Sequence, residues 1–147
     1  MNWPTKCAVA LLVWTGSVGL AQRVIFTPDD LDKAMKTVGR AFGLVSSLIA
    51  SKDFDNAKLQ VTRSRAELAR TVSFWKSKGK EDGVKMLREA VARLDDLDSA
   101  LSETTIDASA VAAAAKQVDA ACEACHAVYR ERDPTTNAFR LKRGLVD

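Results

Sequence analysis

Nearly all the chemistry this chain can offer is concentrated in five residues close to its C-terminus: Cys122, Glu123, Ala124, Cys125 and His126, the last being its single histidine. Two thiols three positions apart on a helix lie on one face, and the imidazole follows directly. Cys-x-x-Cys-His is the spacing by which a c-type haem is attached. The paired thiols reach both vinyl groups along one edge of the macrocycle, and the adjacent imidazole swings beneath the ring to ligate iron. Attachment and axial ligation then share one helical turn.

Two other chemistries use paired cysteines. A thioredoxin-like dithiol accompanies a strand-rich βαβ pattern, which this sequence lacks. Zinc needs a fourth ligand, and no second Cys/His pair is present to supply it. The spacing therefore points to one haem c per chain, covalently held by Cys122 and Cys125 with His126 on the iron.

The rest of the chain has to position that turn. A length of 147 residues, with 28% charged and 47% hydrophobic content, is an ordinary composition sized for one domain. The net charge of +3 and the lack of a basic cluster interleaved with aromatics argue against a nucleic-acid partner. The N-terminus reads differently. Lys6 precedes an apolar stretch from Cys7 to Leu20, and Gly19, Leu20 and Ala21 form a small-x-small site before Gln22. Residues 1–21 are expected to be a cleavable secretory signal. The apolar stretch falls short of the ~20 residues needed to span a bilayer, so no stable membrane span is expected after cleavage. Pro4, Thr5 and Lys6 before Cys7 are not a lipobox. Export to an oxidising compartment such as the periplasm would tend to pair two free thiols, and thioether bonds to haem consume both.

Apolar residues recur at steps of three and four, and no proline falls between Pro28 and Pro134, which predicts helices and not strands. Four are expected. The first, from about Pro28 to Ala50, opens with Thr27, Pro28, Asp29 and Asp30, a cap followed by proline and acids, and has the seam Leu31, Met35, Val38, Phe42, Val45, Ile49. The second spans about Asp53 to Lys76 and stops at Lys78-Gly79-Lys80. The third, about Glu81 to Ser102, has the stripe Val84, Leu87, Val91, Leu94, Leu97, Leu101. Asp107 caps the fourth, about Ala108 to Arg130, whose stripe of Val111, Val118, Cys122, Cys125 and Tyr129 places both thiols on the core face. Short connections between amphipathic helices favour antiparallel neighbours. The expected fold is an all-α, antiparallel up-and-down four-helix bundle with one covalently attached haem. The cytochrome domain would occupy residues 22–133, with a C-terminal tail at 134–147.

The run Cys122, Cys125, His126, Tyr129, Arg130 resembles the class II cytochromes c, the cytochrome c′ family, whose pattern is Cys-x-x-Cys-His-x-x-Phe/Tyr-Arg at the end of the last helix of a bundle. The resemblance covers roughly residues 28–131, strongest in helix four. It implies Cys122 and Cys125 as the haem attachment points, His126 as axial ligand, Tyr129 packed beside it and Arg130 near enough to bias its basicity. Met35, Lys36 and Gly39 resemble the Met-Lys-x-x-Gly segment of the low-spin members, which implies Met35 as sixth ligand. Taken alone, Met35 reads as a core filler, and Met86, off the stripe of its own helix, is the competing thioether. Gly39, one turn along the same face, either admits the haem plane or allows close helix packing. The family often carries arginine four residues before the distal position, where this chain has Leu31, and the connection between helices two and three is shorter than in many members. Trp75 is a candidate to supply the missing bulk.

The function expected is a periplasmic monohaem cytochrome carrying single electrons between redox donor and acceptor proteins. Its haem would have His126 and Met35 as iron ligands, and a homodimer would follow by family analogy alone. The alternative is a five-coordinate iron binding nitric oxide or carbon monoxide at an open distal side. Enzymatic turnover is not expected, because His126 is the single histidine and no distal one remains to move protons.

Overall fold

A computed structural model describes residue 25 and residues 27–146. The expected signal segment and its cleavage site lie outside the described residues. Those residues form six helices and one two-stranded hairpin: α1 (Pro28–Gly43), α2 (Val45–Ala50), α3 (Phe54–Arg70), α4 (Val72–Ser77), α5 (Glu81–Ala100), α6 (Ala108–Tyr129), β1 (Arg130–Arg132) and β2 (Phe139–Leu141). The architecture is all-α.

Three of the long helices begin where the sequence supplies side-chain partners for otherwise unsatisfied amides. Thr27 Oγ1 accepts from the Asp30 amide at 3.1 Å, with Pro28 in the first turn. Asp53 Oδ1 accepts from Asn56 N at 3.3 Å. Asp107 Oδ1 accepts from Ser109 N at 2.8 Å and from Ala110 N at 3.3 Å. Between α4 and α5 the chain turns at Gly79, whose φ is +62°. That left-handed conformation is one glycine adopts without strain.

Two helices expected to be continuous are each interrupted by one residue. The first breaks at Leu44, whose amide bonds back to Ala41 O at 3.2 Å. It follows Gly43, a poor helix former. The second breaks at Thr71, where a fully buried hydroxyl donates to Leu68 O at 2.7 Å. That local bond competes with the regular helical ladder. The fourth expected helix, α6, ends at Tyr129, one residue earlier than the sequence predicts.

α1 packs against α2 and α3, α3 against α5, and α5 against both α4 and α6, while α2 touches α3 and α6. The shared core takes Leu31, Val38, Val45 and Ile49 from the first two helices, Val61 and Leu68 from α3, Leu87, Leu94 and Leu97 from α5, and Val111 and Val118 from α6. Those of α1, α2, α5 and α6 belong to the predicted stripes, with Met35, Phe42 and Val91 half-buried at their margins. An Arg65–Asp95 ion pair ties α3 to α5 on the surface.

The segment read as a tail is tied down. β1 and β2 pair antiparallel, with Arg130 opposite Leu141, Glu131 opposite Arg140 and Arg132 opposite Phe139. In the connecting turn Asp133 Oδ1 accepts from the amides of Thr135 and Thr136, both at 2.9 Å, and Asn137 takes a φ of +56°. The boundary expected between residues 133 and 134 falls inside this turn. Leu141 and Val146 pack back on the core.

Candidate functional site

The seam of α6 advances by alternating steps of four and three: Val111, Ala115, Val118, Cys122, Cys125, Tyr129. Val118 is 1% exposed and Tyr129 4%, yet the two thiols between them are only half-buried. Over that one turn the protein leaves its own core face partly uncovered. Both cysteines are free thiols. Burial pushes the Cys122 thiol up, with the Asp119 and Glu123 carboxylates adding to it. Burial, followed by repulsion from Cys122 and Asp82, pushes Cys125 up to about 11. A dithiol built for nucleophilic exchange has the opposite tuning, with a depressed pKa.

His126 lies beside this pair, its side chain 28% exposed. Its Nδ1 is buried without a hydrogen-bond partner, and the nearest acid oxygen, Glu123 Oε1, is 3.6 Å away. That separation is beyond bonding distance. Burial, reinforced by the Arg130 guanidinium and opposed by Glu123, holds the imidazole below its ordinary pKa. The ring is therefore neutral at pH 7, the form that donates a lone pair to a metal. Glu123 also lies 3.7 Å from Arg130, so its carboxylate stands between the His126 and Arg130 side chains without a close bond to either.

Tyr129 fixes the end of the helix. Its hydroxyl donates to Asp82 Oδ2 at 2.6 Å, across 47 positions of sequence. Burial, followed by this carboxylate neighbour, raises the phenol's pKa, and the same hydrogen bond holds the Asp82 carboxyl below its usual range. The Tyr129 ring lies 4.6 Å from Trp75, which in turn meets Phe74 edge-on at 5.2 Å. The Trp75 indole rests on Gly83 of α5, where a Cβ would approach Trp75 Cε3 to 2.7 Å. Trp75 thus fills the α4–α5 junction. Asp82 and Gly83 were not singled out from the sequence. A glycine inside an amphipathic helix was the one available signal for a close approach.

Helix α6 therefore brings together Cys122, Cys125, His126 and Tyr129, with Arg130 directly after it. Met35 and Gly39 stand on α1, and among the described residues α1 and α6 are not one of the closely packed pairs. Met35 is half-buried against the core. A Cβ at Gly39 would meet nothing within 4 Å, so that face of α1 is open and not a close helix contact. Leu31 is a buried core residue. Among the described residues no group of three or more His, Cys, Asp or Glu is arranged to hold a metal ion, and none of the helices is long and apolar enough to cross a membrane.

A flat macrocycle suits what α6 presents: two protonated thiols on one face, a seam left half-uncovered beside them, and a neutral imidazole whose buried Nδ1 is unpartnered. Comparison with known proteins adds no relative: no family model, curated protein or solved structure matches this chain.

Proposed function

We propose that this chain is an exported monohaem c-type cytochrome that carries single electrons between a donor and an acceptor protein. Its helices would form an antiparallel four-helix bundle of the cytochrome c′ type. The contacts of α1 and α2 with α3, of α3 with α5, of α5 with α6 and of α6 with α2 support that arrangement, because they close a ring of four rods. The observation that carries the functional reading is the half-uncovered turn of α6, where Cys122 and Cys125 lie beside a neutral His126 whose buried Nδ1 has no partner.

In this reading Cys122 and Cys125 would hold the haem by thioether bonds, and His126 of α6 and Met35 of α1 would hold its iron. Once bound, the haem supplies an iron that cycles between ferric and ferrous states. The chain does the rest. Asp82 and Tyr129 lock the end of α6 to α5, so the ligand-bearing turn is held against the core by a contact distant in sequence. Arg130 places a positive charge beside His126, which disfavours protonation of the ring and keeps its lone pair available.

A second reading, an iron with an open distal side that binds nitric oxide or carbon monoxide, is favoured by one observation. Met35 sits on α1, which is not packed closely on α6.

The deciding experiment is the visible spectrum of the exported, matured protein, oxidised and reduced, with and without carbon monoxide. Sharp low-spin bands indifferent to the gas are expected for the electron carrier. A broad high-spin spectrum that shifts with carbon monoxide would select the open site instead, and absence of a haem spectrum would end both readings. In the Cys122→Ser/Cys125→Ser variant any haem should become extractable by acidic solvent. Haem that stayed attached would refute the assignment of the thioether sites.

A further inference from the structure

Apart from Arg130, the hairpin after α6 has no role in the haem reading. Residues 130–146 carry five cations, Arg130, Arg132, Arg140, Lys142 and Arg143, against two carboxylates, Glu131 and Asp133. Both carboxylates are engaged by the same partner: Arg140 Nε lies 2.9 Å from Glu131 and a terminal nitrogen of the same side chain 2.5 Å from Asp133. Among the described residues Arg132, Lys142 and Arg143 make no ion pair with an acid. Lys142 Nζ donates to Ala127 O at 2.7 Å and Arg132 donates to Asn137 O at 3.1 Å. Those carbonyls orient the charges without neutralising them. Arg130 has only the loose 3.7 Å approach to Glu123, and Arg143 is exposed.

At the centre of these charges stands an aromatic ring. Phe139 is 47% exposed, and the guanidinium carbons of Arg130 and Arg132 lie 4.1 and 4.2 Å from its centroid. Cation–π stacking holds such a ring in place and keeps the arginines from collapsing onto acids elsewhere. An ordered aromatic flanked by arginines has the composition of an interface hot spot. The position of this patch is fixed by backbone as well as by side chains: Lys142 N donates to Tyr129 O at 2.9 Å, and the Lys142 ammonium contacts the carbonyl of the residue after His126.

We propose that this hairpin is the docking surface for an acidic one-electron partner protein, with Phe139 as the anchor and Arg130, Arg132, Lys142 and Arg143 as the electrostatic rim. A partner seated there lies against the end of α6 that carries the Cys-x-x-Cys-His turn. The redox role of the complex rests on the haem reading, whereas the binding surface does not. Rim charges of this kind act mainly on encounter rate and salt dependence.

The test uses the full exported chain and a plant-type ferredoxin, a small acidic one-electron protein, as the probe, with binding followed by fluorescence anisotropy at low and at physiological salt. Arg132→Glu/Arg143→Glu is compared with Arg40→Glu/Arg63→Glu, which makes the same change in net charge on α1 and α3. The hairpin pair should weaken binding by about tenfold at low salt and flatten its salt dependence, and the control pair by less than about twofold. Phe139→Ser should weaken binding while leaving the salt slope intact. The milder Arg132→Gln/Arg143→Gln variant gives the same ordering if the charge reversals disturb folding. Equal losses in both pairs, or no loss in the hairpin pair, would overturn the surface. So would a hairpin effect seen only with vesicles of anionic phospholipid and not with ferredoxin. Haem content is read on the same samples. Hairpin-dependent binding without haem would refute the cytochrome reading alone, and haem-loaded protein that binds independently of the hairpin would refute the surface alone.

Discussion

Gly83→Ala sets two effects of opposite sign against each other, and the structure decides between them. Within a helix, replacing glycine by alanine ordinarily stabilises by up to about 1 kcal/mol. At this position the new Cβ would stand 2.7 Å from Trp75 Cε3 and 3.0 Å from Cδ2, closer than carbon atoms approach. The indole has little room to retreat. It is 2% exposed, backed by Phe74 and stacked near Tyr129, whose hydroxyl is tied to Asp82. Overpacking a well-filled core costs about 1–3 kcal/mol, and the rigid surroundings put this site at the upper end. The net expectation is a loss of about 1–2 kcal/mol, which for a domain of this size lowers the melting temperature by about 3–10 °C. Thermal unfolding followed by far-UV circular dichroism measures it. The same substitution in a Trp75→Leu background should be neutral or stabilising, because the clash has been removed, so the two changes should couple strongly. A Gly83→Ala protein that melts at or above the parent temperature would refute the claim that Trp75 is wedged against α5.

The other glycine on a candidate face should behave in the opposite way. Gly39→Ala meets open space and should stabilise haem-free protein by about 0.5–1 kcal/mol in thermal melts. If the haem plane passes over Gly39, that gain should vanish in haem-loaded protein. Cys125 in haem-free protein should alkylate slowly with iodoacetamide at pH 8, because burial, Cys122 and the Asp82 carboxylate disfavour the thiolate. The rate should climb by about tenfold per pH unit towards a plateau near pH 11, and a plateau near 9 would contradict the burial. Met35→Ala should convert a low-spin spectrum to a high-spin one, while Met86→Ala should leave it unchanged. The reverse pattern would transfer the sixth ligand to α5.

Much of the fold was legible because helical periodicity is a local property. The seams of α1, α5 and α6, the caps at Thr27 and Asp107 and the stop around Gly79 all follow from residues a few positions apart. The interruptions at Leu44 and Thr71 were not legible, since each depends on whether one residue bonds within its own turn or continues the ladder. The hairpin was missed for a related reason: a three-residue strand carries too little alternation to register, and pairing Arg130 with Leu141 is a choice between segments.

What the sequence by itself determined is the chemistry on offer: two thiols and one imidazole within a single turn of a helix, with Tyr129 and Arg130 just beyond, placed on the core face by a spacing of three and four. Covalent spacing along a helix dictates such a cluster, whatever packs against it. Only the tertiary structure decided how that turn is held and tuned. The half-exposed seam between Val118 and Tyr129, the Asp82 hydrogen bond, the wedge of Trp75 on Gly83, the neutral His126 and the cationic hairpin folded back on α6 all depend on contacts that the packed fold creates. Burial and through-space charge, which set the reactivity of these groups, arise only when separate helices pack together.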